Sequence, residues 1–201
     1  MRFNSDQIQK IGKEISSKVD GKTLFDEFSR GRYSTDASVY QIKPLGVVLP
    51  KDTNDVLSLM EYSQKNSVPL LARGGGSSQC GQTVGESVVL DYSKHQNKIL
   101  ELNVEEKYVW VQPGVVLDHL NAYLKPHGLW FPVDVSTSSR ATIGGMSANN
   151  SCGSRSLYYG NMVHNVLAIE AILDDGSIFN FDQINKNYLA TKNNQDRLYK
   201  I

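Results

Sequence analysis

Cysteine is nearly missing from this chain. Cys80 and Cys152 are the two in 201 residues, far apart, each beside a glycine and never in a C-x-x-C. That argues against a disulfide framework and reads instead as free thiols in a reducing, cytoplasmic compartment. An excess of either charge is missing too, because 21 Lys+Arg balance 21 Asp+Glu. A nucleic-acid groove or an anionic membrane surface therefore gains nothing from bulk electrostatics. No apolar run approaches the roughly 18–20 residues that span a bilayer. The N-terminal MRFNSDQIQKIGKEI lacks the apolar core of a secretory signal. The four histidines are scattered, without the spacing of metal ligands. Neither G-x-x-x-x-G-K-[ST] nor a G-x-G-x-x-G opening a helix occurs, so this is no P-loop and no Rossmann fingerprint.

What is present is ordinary in amount. Apolar residues make up 40% and charged residues 21%, enough for a sizeable core in one or two domains. The arrangement is less ordinary. VPLLARGGGSSQCGQTVG, residues 68–85, sets three consecutive glycines directly after a short apolar strand, Val68 to Ala72. Such a run is costly in backbone entropy, and close approach of a ligand to bare amides explains it. Successive N–H groups in the turn Gly74-Gly75-Gly76 form a concave nest for an anion. Arg73 adds a positive fork of donors, and Ser77 and Ser78 add hydroxyls. The alternative is a plain flexible linker.

Taken in order, residues 5–19 place Ile8, Ile11, Ile15 and Val19 at helical spacing behind the candidate cap Ser5, and Asp20-Gly21 ends the helix. Residues 30–44 lack a period and read as an ordered loop. Gly46–Leu49 is a strand, and Asp52 or Thr53 caps a helix whose apolar face is Val56, Leu57, Leu59 and Met60. With Val68–Ala72 this makes a β-α-β unit and a small parallel sheet, the glycine loop leaving its carboxyl edge, where ligands collect. Ser87–Asp91, Ile99–Val104 and Tyr108–Gln112 then read as antiparallel strands. Gly114–Lys125 is an amphipathic helix closing at Pro126-His127-Gly128, with His127 complementing the helix dipole. The fold class is α+β. Residues 1–40 form an N-terminal extension, 41–95 a first subdomain and 96–201 a second.

Residues 131–160, FPVDVSTSSRATIGGMSANNSCGSRSLYYG, are the second unusual stretch, rich in small residues yet not repetitive. Gly144-Gly145 falls where a short helix would begin and expose free N–H groups. One extended polar ligand explains two such loops better than two linkers do. Val166–Leu173 and Ser177–Phe181 form a hairpin through Asp174-Asp175-Gly176. The tail NKNYLATKNNQDRLYKI is weakly patterned and is assigned to no element.

The run ARGGGSSQCGQTVGESVVLDYSKHQNKILELN, with WVQPGVVLDHLNAYLKPHGLWFPVDVSTSSRATIGGMSANNSCGSRSLYYG and AIEAILDDGSIF, resembles the FAD-binding domain of the vanillyl-alcohol-oxidase (para-cresol methylhydroxylase-type, PCMH-type) flavoproteins. Within them it is most similar to the D-lactate dehydrogenase and glycolate oxidase flavin-subunit branch. RYSTDASVYQIKPLGVVLPKDTNDV also resembles the large members that carry an iron–sulfur domain. The resemblance implies FAD as cofactor, a 2-hydroxy acid as substrate, and hydride transfer to flavin. It implies a place for each residue. Arg73, Gly74, Gly75, Gly76, Ser77 and Ser78, with Gly81 and Gln82, would wrap the pyrophosphate. Pro113, Gly114 and Val115 would approach the adenine. Asp134, Ser136, Thr142, Ile143, Gly144 and Gly145 would line the isoalloxazine and ribityl chain. Ala148, Asn149, Gly153, Ser154, Tyr159 and Gly160 would complete the pocket, with Val166 and Ile169 near the adenosine.

Some members bind FAD covalently through a histidine in this loop; here Ser77 holds the position and no histidine lies between Leu49 and Asp91. Non-covalent FAD is expected, with Cys152 a buried free thiol. The family's closing strand, with its G-S-E-G-T-L-G-like turn, is missing, which reads as an N-terminal fragment, inactive alone, and no catalytic base is assigned. The expected location is cytoplasmic, free or peripheral to the inner face of the membrane. Two alternatives stand beside this: a same-fold reductase of the enolpyruvyl-UDP-sugar type, and a non-catalytic fragment binding an adenine nucleotide or a protein partner.

Overall fold

The computed structural model describes residues 3–181, and the polar tail lies outside them. Helix α1 (Ser5–Ser16) is capped by Asn4 instead of Ser5. The Asn4 side chain accepts the Gln7 amide at 2.9 Å, and the Gln7 side chain accepts the Asn4 amide at 2.8 Å, a capping box. Two short elements follow that the sequence pattern does not announce, strand β1 (Lys22–Leu24) and helix α2 (Glu27–Arg32). Strand β2 (Gly46–Leu49), helix α3 (Thr53–Asn66, capped by Asp52) and strand β3 (Leu70–Arg73) form the expected β-α-β unit.

That unit is not a closed pair. Strand β4 (Val88–Asp91) lies between β2 and β3, parallel to both, and Val89 faces Val47 on one side and Leu71 on the other. The sheet order is β1-β2-β4-β3, with β1 antiparallel to β2. The antiparallel assignment of Ser87–Asp91 is thereby corrected. All four residues of β4 are buried, and a continuous apolar run such as Val88-Val89-Leu90 is what a parallel strand covered on both faces requires. The first core joins Ile8, Ile11 and Ile15 of α1 to Val56, Leu59 and Tyr62 of α3 over β2 and β4.

Strands β5 (Ile99–Asn103) and β6 (Tyr108–Val111) pair antiparallel, as the sequence predicts. Helix α4 (Leu117–Leu124) starts three residues later than expected, since Gly114 and Val115 are engaged in packing, and a 3-10 turn carries it to His127. Short helices α5 (Ile143–Ala148), α6 (Ser156–Tyr159) and α7 (Met162–Asn165) precede the hairpin β7 (Ile169–Ile172) and β8 (Ile178–Phe181). A second core gathers Leu117, Leu120, Leu124, Val133, Ile143, Met146 and Met162. Among the described residues no helix is long and apolar enough to cross a membrane.

Candidate functional site

The glycine loop leaves the carboxyl end of β3, as expected. Gly76 and Gly81 take φ of +63° and +73°, the left-handed region that side chains resist. Gly74 and Gly75 are bare for another reason. A Cβ on Gly74 would run into Thr142 Oγ1, and one on Gly75 into the Arg140 carbonyl. The loop therefore lies directly on residues 140–142, and the two small-residue stretches that the sequence sets apart form one wall. Across that wall Gln82 Nε2 donates to Asn149 Oδ1 at 3.0 Å. Among the described residues the amides of Gly75, Gly76, Ser77 and Ser78 take no acceptor. The Ser78 hydroxyl bonds within the loop, receiving the Cys80 amide at 3.1 Å and bonding Gln82.

Arg73 plays a different part from the one the sequence suggests. Its guanidinium is turned into the protein, donating to the carbonyls of Thr35 at 2.9 Å, Thr83 at 3.1 Å and Tyr33 at 3.4 Å. It also stacks over the Tyr33 ring at 5.2 Å. Tyr33 in turn donates to the buried Asp91 at 2.7 Å, and burial first, then this bond, pushes its phenol up to about 12. Arg73 thus closes the loop on itself through Thr83, and its guanidinium lies beside Gly76.

The second stretch also differs in one respect. Helix α5 does begin at Gly144-Gly145, but its first amides are engaged. Ile143 donates to the Val115 carbonyl at 2.8 Å, Gly144 to Pro113 at 2.9 Å, and Gly145 to the Thr142 hydroxyl at 3.4 Å. The free N–H groups expected there are corrected to a packed joint between α5 and Pro113–Val115. Gly144 is required by it, because a Cβ would press on Pro113. Ala148 and Asn149 end α5, exposed at the surface.

Asp134 binds the turn before α6. Its carboxylate accepts the Ser154 hydroxyl at 2.7 Å and the Arg155 amide at 3.0 Å, with the Arg155 guanidinium 3.8 Å away. The Ser154 bond first, then the Arg155 amide, holds this carboxyl below its ordinary range. Gly153 sits so close to the Asp134 carbonyl that no side chain fits. Ser136 is exposed, Tyr159 packs edge-on against Trp130 at 5.1 Å, and Gly160 turns with φ +77°. Val166 packs on the second core, and Ile169 stands 43% exposed on β7. Cys152 is exposed, not buried as expected, like Cys80.

The sequence pattern passed over Tyr33, Asp36, Tyr40 and Asp91, all of which meet the glycine loop or its anchor. Only the run of turn-forming residues in Ser34-Thr35-Asp36-Ala37-Ser38 hinted at a structured segment there. Two surface depressions, of about 440 and 740 Å³, run along α1 and are lined by no glycine-loop residue. Among the described residues, the amides of residues 75–78 are left as unengaged donors on the surface of the glycine loop.

Residues 44–182 match the FAD binding domain family, and the chain belongs to it. It is 42% identical over 155 residues to a D-2-hydroxyglutarate dehydrogenase of Haemophilus influenzae, covering 76% of this chain and 15% of that protein. It is 37% identical over 176 residues to the glycolate oxidase subunit GlcD of Bacillus subtilis, covering 85% of this chain and 37% of that one. The solved structure of p-cresol methylhydroxylase with substrate bound superposes with a TM-score of 0.72 at 18% identity, over 88% of this chain and 36% of that one. The fold is therefore the PCMH-type FAD-binding fold, with FAD as the cofactor of the family. The chain spans well under half the length of these relatives.

Proposed function

We propose that this chain is the FAD-holding portion of a dehydrogenase acting on a 2-hydroxy acid, and that FAD is held without a covalent bond. The observation that carries this reading is the row of unengaged amides at Gly75–Ser78, on bare backbone at the carboxyl edge of a parallel sheet. FAD, when bound, supplies the acceptor for a hydride leaving the substrate's α-carbon. The chain's own residues bind and orient. The amides of residues 75–78 hold the diphosphate charge, and Arg73 stiffens the turn while adding a positive potential beside it. Pro113–Val115 and α5 form the adjoining wall, and Asp134 fixes Ser154 and Arg155. The substrate class is supported by two relatives, each named for a 2-hydroxy acid. Ser77, where a covalent link would need histidine, supports the non-covalent mode. Two exposed, unpaired thiols support a reducing, cytoplasmic location.

The groups that grip the substrate carboxylate and take its proton belong, on this reading, to other portions of the protein, as does an iron–sulfur exit for electrons. The 201-residue chain alone is expected not to turn over. The test is an absorption spectrum of the purified chain after excess FAD is added and unbound dye removed. Flavin bands that stay with the protein and leave on acid precipitation support the reading. Bands that survive acid overturn the non-covalent mode. A folded chain and a folded longer protein that both fail to retain flavin overturn the function.

A further inference from the structure

The groups that grip the glycine loop come from a segment ahead of residue 44, where the family match begins. Residues 33–42 fold back on themselves: the Ile42 amide donates to the Ser34 carbonyl at 2.8 Å, and Thr35 and Gln41 form an antiparallel bridge. The base is pinned to the sheet by the bond from Tyr33 to Asp91. From this braced loop three groups reach the cradle. Asp36 accepts the Ser38 amide at 2.9 Å on one oxygen, and the Thr83 hydroxyl at 3.0 Å and amide at 3.4 Å on the other. The Ala37 amide donates to the Gly76 carbonyl at 3.2 Å. The Tyr40 ring lies against Gly81, where a Cβ would meet it at 2.6 Å.

We infer that residues 33–42 are a strap that preorganises the cradle for the FAD diphosphate, with Asp36 and Thr83 as its positioning pair. The inference rests on the FAD reading above. A turn of three glycines is otherwise free to sample many conformations, and ordering it on binding subtracts from affinity. The strap removes that freedom at both ends of the loop, at Gly76 and at Thr83. It also sets direction. In a planar trans peptide the C=O and the following N–H point opposite ways, so pinning the Gly76 carbonyl to the strap aims the Ser77 N–H away from it. Arg73 completes the clasp from the loop side through the Tyr33 and Thr35 carbonyls.

The experiment is titration of the FAD-free chain with FAD, followed by fluorescence quenching, together with amide exchange of residues 75–83 before FAD is added. Asp36→Ala and Thr83→Val are each expected to raise Kd about tenfold, and the double variant no further than D36A, because the hydroxyl bond that T83V removes is one of those D36A removes. Asp36→Asn, which keeps one acceptor oxygen, falls between. Exchange in the loop quickens in D36A, while α3 amides stay at wild-type rates. Thr83→Val preserves shape, so it reports on the bond even where D36A folds poorly. Wild-type Kd in folded variants overturns the strap. A wild-type chain that takes up no FAD fails the cofactor reading instead, and loop exchange then decides the strap: unchanged rates in D36A overturn it.

Discussion

Arg73 shows how one side chain serves two ends, and substitution separates them. Its fork reaches three backbone carbonyls and a ring face, a geometry that a lysine ammonium cannot copy. If the charge were what mattered, Arg73→Lys would keep FAD affinity. We expect the opposite: R73K binds FAD nearly as weakly as R73M, and both lower stability by about 2 kcal/mol, the order of a lost charged hydrogen-bond set on a half-buried residue. Urea denaturation with parallel FAD titration reads both. An R73K protein with wild-type affinity would return Arg73 to the role of a phosphate counter-charge.

At the level of elements, β4 carries the sheet. Val89 is fully buried between β2 and β3, so truncating it opens a gap against both neighbours. Val89→Ala is expected to cost about 2–3 kcal/mol, whereas Val104→Ala, at a position 43% exposed, costs a few tenths. Comparable losses in thermal denaturation at the two sites would contradict the central placement. Most long elements are legible: the Thr53–Asn66 helix from its cap and apolar face, and the four antiparallel strands β5, β6, β7 and β8 from their turn-bounded runs. Strand β4 reads in the wrong company because an apolar run of three residues, Val88-Val89-Leu90, names neither its partner nor their direction, which tertiary order decides. Helix α2 shows no clear signal in the sequence because Gly31 and only six residues blur any period, although Asp26 caps it, Glu27 opens it and Arg30 and Arg32 close it. In the site, the two glycine stretches stand out in the sequence, and the structure brings them into contact at Gly74, Gly75 and residues 140–142. Which amides stay free is not readable from the sequence, since that depends on the Pro113 and Val115 carbonyls coming to α5 from elsewhere in the fold.

Over the whole molecule, three tyrosines tie separate parts together. Tyr33 joins the strap to β4, Tyr62 donates to Glu14 at 2.7 Å and joins α3 to α1, and Tyr92 packs beside the first core. Burial raises all three phenols; hydrogen bonds to Asp91 and Glu14 add to it for Tyr33 and Tyr62, while Tyr92 is raised to about 12 by burial alone. A phenol whose folded value lies above its unfolded value of about 10 stabilises the fold fully below that pH. The contribution disappears as pH climbs from about 10 to about 12. Urea midpoints measured against pH should stay flat near neutrality and fall across that window. Tyr33→Phe should fall less steeply there, having one fewer proton to lose. An unchanged alkaline slope in Y33F would remove Tyr33 from the set.

The sheet order also bears on how the chain is made. A ribosome delivers β2 and β3 before β4, yet neither has its parallel partner until residue 91 emerges. For that interval the nascent chain holds two apolar strands with open inner edges, the condition in which chains pair wrongly with one another. The strap is synthesised earlier still and waits for the loop it grips. The strand at the centre of this sheet is thus the last of its four to be made, and the interval in which residues 50–91 emerge is the one in which the edges of β2 and β3 stand open.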